Sequence, residues 1–168
     1  MEKELNNELN NELKRLQITA LNEKAENVVA VAAAATAATG AVPIPFADMP
    51  LLIGEQVAMM ARICTIYKID IKKDGLKALA TAAIGAGGAG VVGKAVVTNI
   101  MKLVPGVGTV AGGAISAGTA GVITLAVGKA FIEVCKANKM GILRDDEILS
   151  SKGIKMMKIA FKKNFKKQ

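Results

Sequence analysis

Two glycine-rich stretches of the chain have spacings close to those of nucleotide-binding motifs. Gly88–Ala95 is one residue short of a P-loop, and Ala95 stands where the magnesium-binding Ser or Thr must be. Gly85–Gly90 matches the dinucleotide pattern GxGxxG, but no strand pattern precedes it and no acid follows about twenty residues on. Because both stretches lie in a run of Ala, Val and Gly, we interpret them as helix-packing segments rather than cofactor sites.

The remaining residues give few candidates for catalysis or metal binding. The chain has no histidine, which removes the usual general base and the commonest metal ligand. Asp145, Asp146 and Glu147 could ligate a hard cation, but three consecutive acids do not converge on one helix face. They are better placed to open a helix, where acids favour the positive N-terminus. We therefore predict a protein that is not an enzyme, with no cofactor, no metal and no catalytic residue.

Composition predicts one helical domain whose core is built from small side chains. The chain has 168 residues, of which 52% are hydrophobic and only 3% aromatic, and its mean hydropathy is +0.38. This value lies between those of ordinary soluble proteins and polytopic membrane proteins. Cys64 and Cys135 each stand alone in an apolar helical pattern, so we expect buried thiols in a reducing compartment. The N-terminus lacks the pattern of a cleaved signal peptide.

The segment Ala78–Gly128 is the most unusual part of the sequence. It carries only two charges, Lys94 and Lys102, and twelve of the seventeen glycines. Pro105 and Gly106 mark a turn in its middle, and each arm is long enough as a helix to cross the ~30 Å hydrocarbon core. Small residues at four-residue spacing favour close helix packing, in lipid or in a protein core. These small residues are Gly85, Ala89, Gly90, Gly93, Gly108, Gly112 and Ser116.

A second helical hairpin is predicted from Val28 to Tyr67. Its first arm is dominated by Ala and Val, and its second arm is apolar nearly all round. A rigid turn with three prolines joins the arms, in which Asp48 could cap the second helix and Pro50 lie in its first turn. The turn residues of this hairpin are Pro43, Pro45, Phe46, Asp48 and Pro50. Its first arm is shorter than a bilayer is thick, which makes it the weaker candidate for insertion.

Two amphipathic segments flank the hairpins, so we divide the chain into 1–27, 28–139 and 140–168. The leader carries a narrow stripe at Leu5, Leu9, Leu13 and Leu16, which is either a solvated helix or a docking helix. The tail has an apolar face beside a row of lysines, a pattern typical of membrane-surface helices or of helices that bind in a groove. We expect its lysines to bind an anionic surface: Lys155, Lys158, Lys162, Lys163, Lys166 and Lys167.

Several of these residues together resemble a known bacterial family. The stretch Ile44–Ile53, which contains Pro-Phe-Ala-Asp-Met-Pro, and the stretch Val104–Thr109, which contains Pro-Gly-Val-Gly, resemble the domain of unknown function DUF697. The resemblance covers about residues 25–135 and implies a membrane-associated helical unit, often fused behind a GTP-binding domain. This chain departs from that pattern because it has no intact P-loop and no Asn-Lys-x-Asp guanine motif. The resemblance therefore implies that any GTPase is a separate partner.

We predict an all-α protein of two hairpins, Val28–Tyr67 and Ala78–Cys135, with an amphipathic leader and a basic amphipathic tail. The function favoured by the sequence is a membrane-associated helical module that inserts the second hairpin and self-associates. Basic residues flank both open ends of that hairpin, which predicts a bacterial cytoplasmic location at or in the inner membrane. The alternative is a soluble helical scaffold or oligomer, and a minor third class is a pore-former that inserts late. Nucleic acid is a poor candidate partner because Phe161 and Phe165, the aromatic residues of the tail, lie on its apolar face rather than among the lysines.

Overall fold

The computed structural model describes residues 1–39, 44–45, 49–84, 114–115 and 117–165. The helices of the described part are α1 (Glu2–Thr39), α2 (Met49–Tyr67), α3 (Lys73–Ile84), α4 (Ala117–Lys139) and α5 (Ser151–Phe165), with a 3₁₀ turn at Asp145–Glu147. Pro50 lies in the first turn of α2, where its missing N–H costs nothing, and Gly141 follows the end of α4. The strands β1 (Ile44–Pro45) and β2 (Ala114–Ile115) pair antiparallel, Ile44 opposite Ile115.

The long helices pack side by side around α4. Val29 of α1 lies beside Gly128, and Ala37 lies beside Gly121, so α1 and α4 run antiparallel. The ion pair from Lys163 to Glu133 at 3.3 Å places α5 along another side of α4. Helix α2 packs against both α1 and α4, and α3 lies against α2 and α5. This arrangement confirms the predicted all-α fold.

One continuous core lies at the centre of this bundle. It contains a few large side chains that are almost fully buried among many alanines and valines, as the composition predicts. The largest of them are Tyr67, Phe131, Leu52, Met60, Ile63, Leu76, Leu79, Ile123, Leu143, Ile148 and Met157. Small residues at the helix contacts let these few large groups fill the space between backbones that lie close together.

The first helix differs from its expected division into a leader and a hairpin arm. Helix α1 runs without a break through residue 27 and has 38 residues, which corresponds to ~57 Å. The apolar residues that anchor it recur on one face at Ile18, Ala25, Val29 and Ala33, whereas the side chains of residues 1–17 are all exposed. Packing of this second half offsets the poor helix propensity of the asparagines that precede it. The functional division at residue 27 stays a prediction.

The bundle has two chemically different ends. At the first, which we call the charged end, α2 and α4 finish and α3 and α5 begin, and Leu149 lies against Gly75 of α3. At the second, which we call the apolar end, α1 finishes, α2 and α4 begin and β1 pairs with β2. Near the apolar end, residues 27–39, 49–54 and 117–128 carry no charged side chain.

Candidate functional site

The predicted small-residue face lies mostly outside the described part of the chain. This holds for Gly85, Ala89, Gly90, Gly93, Gly108, Gly112 and Ser116, and for the two nucleotide-like motifs. The described glycines of α4 nevertheless make the kind of contact that the pattern predicts. A methyl group at Gly128 would lie 2.5 Å from Val29 Cγ2, and one at Gly121 would lie 3.2 Å from Ala37 Cβ. Helices α1 and α4 therefore approach each other through glycine on the α4 side.

Two of the predicted turn residues lie in the described part of the chain. Pro45 lies in β1, where Ile44 and Pro45 pair with Ile115 and Ala114, and Pro50 lies in the first turn of α2. The pairing connects the turn of the first hairpin to the chain that enters α4. The other predicted turn residues lie outside the described residues: Pro43, Phe46, Asp48, Pro105 and Gly106.

The apolar face of the tail helix is part of the protein core. Met157, Ala160, Phe161 and Phe165 are buried, and the rings of Phe161 and Phe165 stack with centroids 5.4 Å apart. Sequence reasoning left this face open to a membrane or a groove, because the pattern alone does not say which apolar surface covers it. In the structure α4 and α3 cover it, so only the lysine-bearing side of α5 is left for a partner.

That lysine-bearing side keeps three lysines without an ion-pair partner among the described residues. Lys163 pairs with Glu133, whereas Lys155, Lys158 and Lys162 point to solvent. Ile159 lies among them and is 58% exposed. An exposed isoleucine surrounded by lysines is typical of a helix face that touches an anionic, partly apolar surface. Lys166 and Lys167 lie outside the described residues.

The acidic triplet forms a turn of its own before the tail helix. Asn138 Nδ2 donates to Asp145 Oδ1 at 2.7 Å, and Arg144 pairs with Asp146 at 2.9 Å. Glu147 accepts from the Arg144 backbone N–H, and this bond, followed by the Lys152 ammonium, lowers the pKa of its carboxyl. Helix α5 begins only at Ser151. The sequence suggested that these acids open the tail helix. In the structure they instead stabilise the connection between α4 and α5.

A buried polar pair between α2 and α4 was not singled out by sequence reasoning. Gln56 has no exposed surface, and its Nε2 donates to Thr124 Oγ1 at 2.8 Å. Thr124 Oγ1 in turn donates to the carbonyl of Ala120. Gln56 Oε1 has no hydrogen-bond partner among the residues described. The signal in the sequence was a glutamine in the middle of an apolar helix. Its hydrogen bond to Thr124 fixes the register of α2 against α4.

The prediction that both thiols are buried is confirmed. Cys64 and Cys135 are free and buried. Burial raises the pKa of the Cys64 thiol to about 11, with a contribution from Asp70. Burial likewise raises the pKa of Cys135 well above its usual value, and Cys64 adds to this shift while Lys139 opposes it. Both sulfurs are therefore protonated at neutral pH and are poor nucleophiles.

The outward face of α1 changes character along the helix. Toward the apolar end this face consists of exposed alanines and a valine, with Val31 at 64% exposed. Toward the N-terminus the exposed residues are mainly polar, apart from the leucine stripe at Leu5, Leu9, Leu13 and Leu16, whose side chains are 48–66% exposed. Two separate apolar surfaces are thus left uncovered by the described residues.

Neither a membrane-crossing helix nor a metal cluster is present in the described part of the chain. Among the residues described, no helix combines the length and the apolarity needed to cross a bilayer. The same residues contain no group of three or more His, Cys, Asp or Glu side chains arranged to hold a metal ion. Most of the first predicted arm, residues 85–101, lies outside this part. More than half of the second arm lies inside it, and there the prediction of a continuous helix from Val107 is wrong, because Ala114–Ile115 form β2 and α4 begins only at Ala117.

The chain matches a known family model and is similar to a bacterial membrane protein. The model of the domain of unknown function DUF697 matches residues 5–151. A relative from Magnetospirillum gryphiswaldense, described as magnetosome membrane protein 22, is 30% identical over 110 residues. The match covers 65% of this chain and 56% of the relative, so the chain spans little more than half of that protein's length. No solved structure matches the chain.

The family match runs from the leucine stripe of α1 through α2, α3 and α4 and ends at the first residue of α5. It includes the Pro-Phe-Ala-Asp-Met-Pro turn and the glycine-rich segment on which the resemblance rested. The chain therefore belongs to the DUF697 family.

Proposed function

We propose that this protein is a non-enzymatic, membrane-associating helical module. In the proposal the apolar end of the bundle faces a bilayer, and the chain between α3 and α4 enters it. The family match and the similarity to a magnetosome membrane protein support the membrane association. The location in a bacterial cytoplasm, at or in the inner membrane, is part of the proposal and rests on the basic residues that flank the second hairpin.

The observation that carries the proposal is the exposed, uncharged surface at the apolar end. The exposed residues of α1 there are Ala30, Val31, Ala34, Ala35 and Ala38. A bundle that met only water on this side would be expected to carry charged side chains on its outward helix face. An alanine and valine face instead suits contact with lipid or with another protein.

The packing of the described helices limits which residues enter lipid. Leu79, Ala80 and Ile84 of α3 are buried, as are Ala120 and Ile123 of α4. These residues belong to the predicted spanning arms, yet their partners are other helices of the bundle. The proposal therefore assigns insertion to residues 85–113.

The lysines of α5 supply the electrostatic part of the proposal. Helix α5 starts at the charged end and runs along α4 toward the apolar end, so Lys162 lies further toward the apolar end than Lys155. Lysines near an anionic leaflet contribute about 1 kcal/mol each to binding. The three unpaired lysines, Lys155, Lys158 and Lys162, would hold this side of the bundle against the leaflet.

Flotation of the full-length protein with phosphatidylglycerol-containing vesicles tests the proposal. We expect the protein to float and to resist a carbonate wash, because alkaline carbonate releases proteins held by charge but not segments inserted in the hydrocarbon core. The variant in which Lys155, Lys158 and Lys162 are changed to Gln should float less at low salt. The matched control changes Lys72, Lys73 and Lys77 to Gln at the charged end, and should float like the parent protein. A parent protein that never floats would contradict the proposal.

The second candidate function is a helical scaffold whose apolar surfaces bind protein. The burial of Leu79 and Ala120 in the core favours it, because the described ends of the predicted hairpin already pack as a protein interior. Failure of flotation together with a defined oligomer in solution would support this alternative. A separate GTPase as partner is proposed only from the family resemblance, and co-purification with a GTP-binding protein would test it.

A further inference from the structure

A basic groove lies between α1 and the C-terminal part of α4, at the charged end of the bundle. It has a volume of about 590 Å³, which is larger than a single phosphate group needs. Its lining residues are Asn11, Lys14, Arg15, Ile18, Thr19, Asn22, Lys136 and Met140. The groove brings together Lys14 of α1 and Lys136 of α4, which are more than a hundred residues apart in sequence, so the linear charge pattern gave no sign of it.

The lining offers hydrogen-bond donors and positive charge with no carboxylate. Lys14, Arg15 and Lys136 are exposed, and no acid is among the lining residues. Glu12 lies 3.9 Å from Arg15, but both side chains are largely solvated, so this pair holds the arginine weakly. The oxygen of the Asn22 side chain accepts from the Tyr67 hydroxyl, which leaves its NH₂ group as a donor. A planar guanidinium and ammonium groups together match the oxygens of a phosphate.

These cations are not needed to satisfy the end of α4. The last carbonyls of the helix are bonded by its own backbone: Ile142 N donates to Ala137 O at 2.9 Å, and Gly141 N donates to Asn138 O at 2.9 Å. Gly141 has φ +77°, the left-handed conformation of this type of helix end. Since the carbonyls already have donors, the groove cations are available for a ligand.

We propose that the basic groove binds the phosphate group of a soluble ligand. The groove lies between α1 and α4, whereas Lys155, Lys158 and Lys162 lie on α5, which packs on another side of α4. The groove is therefore away from the side of the bundle that these lysines would hold against the leaflet. The choice of a soluble ligand over a lipid therefore rests on the proposed function, whereas the phosphate site itself does not.

Isothermal titration of the full-length protein with inorganic pyrophosphate at low ionic strength tests the groove. We expect saturable binding that weakens at least tenfold in Lys14→Gln and, separately, in Lys136→Gln. Lys77→Gln removes the same charge on α3, outside the groove, and should bind within twofold of the parent. All three side chains are exposed, so each variant should keep the parent's melting temperature.

The outcomes distinguish two questions: whether the groove binds phosphate, and whether that phosphate belongs to a soluble ligand or to a lipid. A parent protein that binds neither pyrophosphate nor, through Lys136, anionic vesicles would overturn the site, as would an equal loss of pyrophosphate binding in the Lys77→Gln control. Vesicles of phosphatidylglycerol form the second arm of the experiment. If Lys136→Gln lowers vesicle binding while pyrophosphate does not bind the parent, the soluble source is overturned and the ligand is a lipid headgroup. If the parent protein does not float but binds pyrophosphate, the proposed function is contradicted and the phosphate site in the groove is still supported.

Discussion

Single residues decide how closely the two longest helices approach. At Gly128 the neighbouring atoms are Val29 Cγ1 and Cγ2, at 2.6 and 2.5 Å from where a Cβ would stand. Real side chains do not tolerate such separations without movement of the helix or a change of rotamer. The exposed Gly54 of α2, in contrast, has nothing within 4 Å of the same position. The two glycines therefore have opposite roles although both lie inside helices.

Alanine substitutions at these two glycines should change stability in opposite directions. Gly128→Ala should lower the free energy of unfolding by about 1–3 kcal/mol, because the added methyl group overpacks the contact with Val29. Gly54→Ala should raise it by up to about 1 kcal/mol, since alanine is the better helix former and meets only solvent. Chemical denaturation of both variants measures the difference. Equal stability of the two would contradict the close approach of α1 and α4.

The C-terminal ends of α2 and α4 have the same backbone geometry but different residue types. Helices α2 and α4 finish in the same hydrogen-bonded motif: Ile69 N donates to Cys64 O in α2 as Ile142 N donates to Ala137 O in α4. The left-handed residue is Gly141 in α4 but Lys68 in α2, with φ +51°. A lysine in this conformation is strained because its Cβ crowds the backbone, whereas glycine is not. Helix α2 therefore ends at some cost in stability.

Exchanging the residue types at the two helix ends should reveal this cost. Lys68→Gly should raise the free energy of unfolding by up to about 1 kcal/mol, and Gly141→Ala should lower it by about the same amount. Lys68→Ala removes the charge but keeps the strained conformation, so it serves as the control and should stay close to the parent. Thermal and denaturant unfolding measure all three. A gain in Lys68→Ala equal to that in Lys68→Gly would attribute the effect to charge instead.

At the scale of the whole molecule, the unpaired leucine stripe is the surface best suited to a second copy of the chain. Leu5, Leu9, Leu13 and Leu16 lie on one line of α1 and are exposed. Glu8 and Glu12 border the stripe on one side, which disfavours an anionic leaflet, and asparagines border it on the other. Two such helices side by side in parallel place carboxylates opposite amide donors, whereas an antiparallel pair places acids opposite acids. We propose parallel self-association through this stripe.

Replacing leucines of the stripe should reduce self-association without unfolding the bundle. The double variant Leu9→Gln and Leu13→Gln should shift the protein from dimer to monomer, because it removes apolar area from the middle of the contact. Val31→Gln is the matched control, an exposed apolar residue on the same helix outside the stripe. Sedimentation equilibrium over a range of protein concentrations measures the change. A parent protein that is monomeric at all concentrations would rule out the stripe as an interface.

The sequence by itself determined the helical class, the family and most of the helix positions. Pro50 marked the start of α2, Gly141 marked the end of α4, and the apolar repeat of the tail placed α5. The start of α4 was predicted wrongly, because Ala114 and Ile115 pair with β1 and the helix begins only at Ala117. The same local signals indicated two buried thiols and the exposed leucine stripe. The sequence also allowed the family to be recognised from the Gly-rich segment, because the motifs that carry the resemblance are continuous in the chain.

Only the tertiary structure decided which apolar surface is covered and which is not. The tail helix has the pattern of a membrane-surface helix, yet Met157 and Phe161 pack into the core, because an apolar face binds whichever apolar partner is nearest. The pairing of Gln56 with Thr124 and the meeting of Lys14 with Lys136 also depend on contacts between segments far apart in sequence. Hydrophobic burial has no direction of its own, so partner choice is a property of the packed bundle rather than of any one helix.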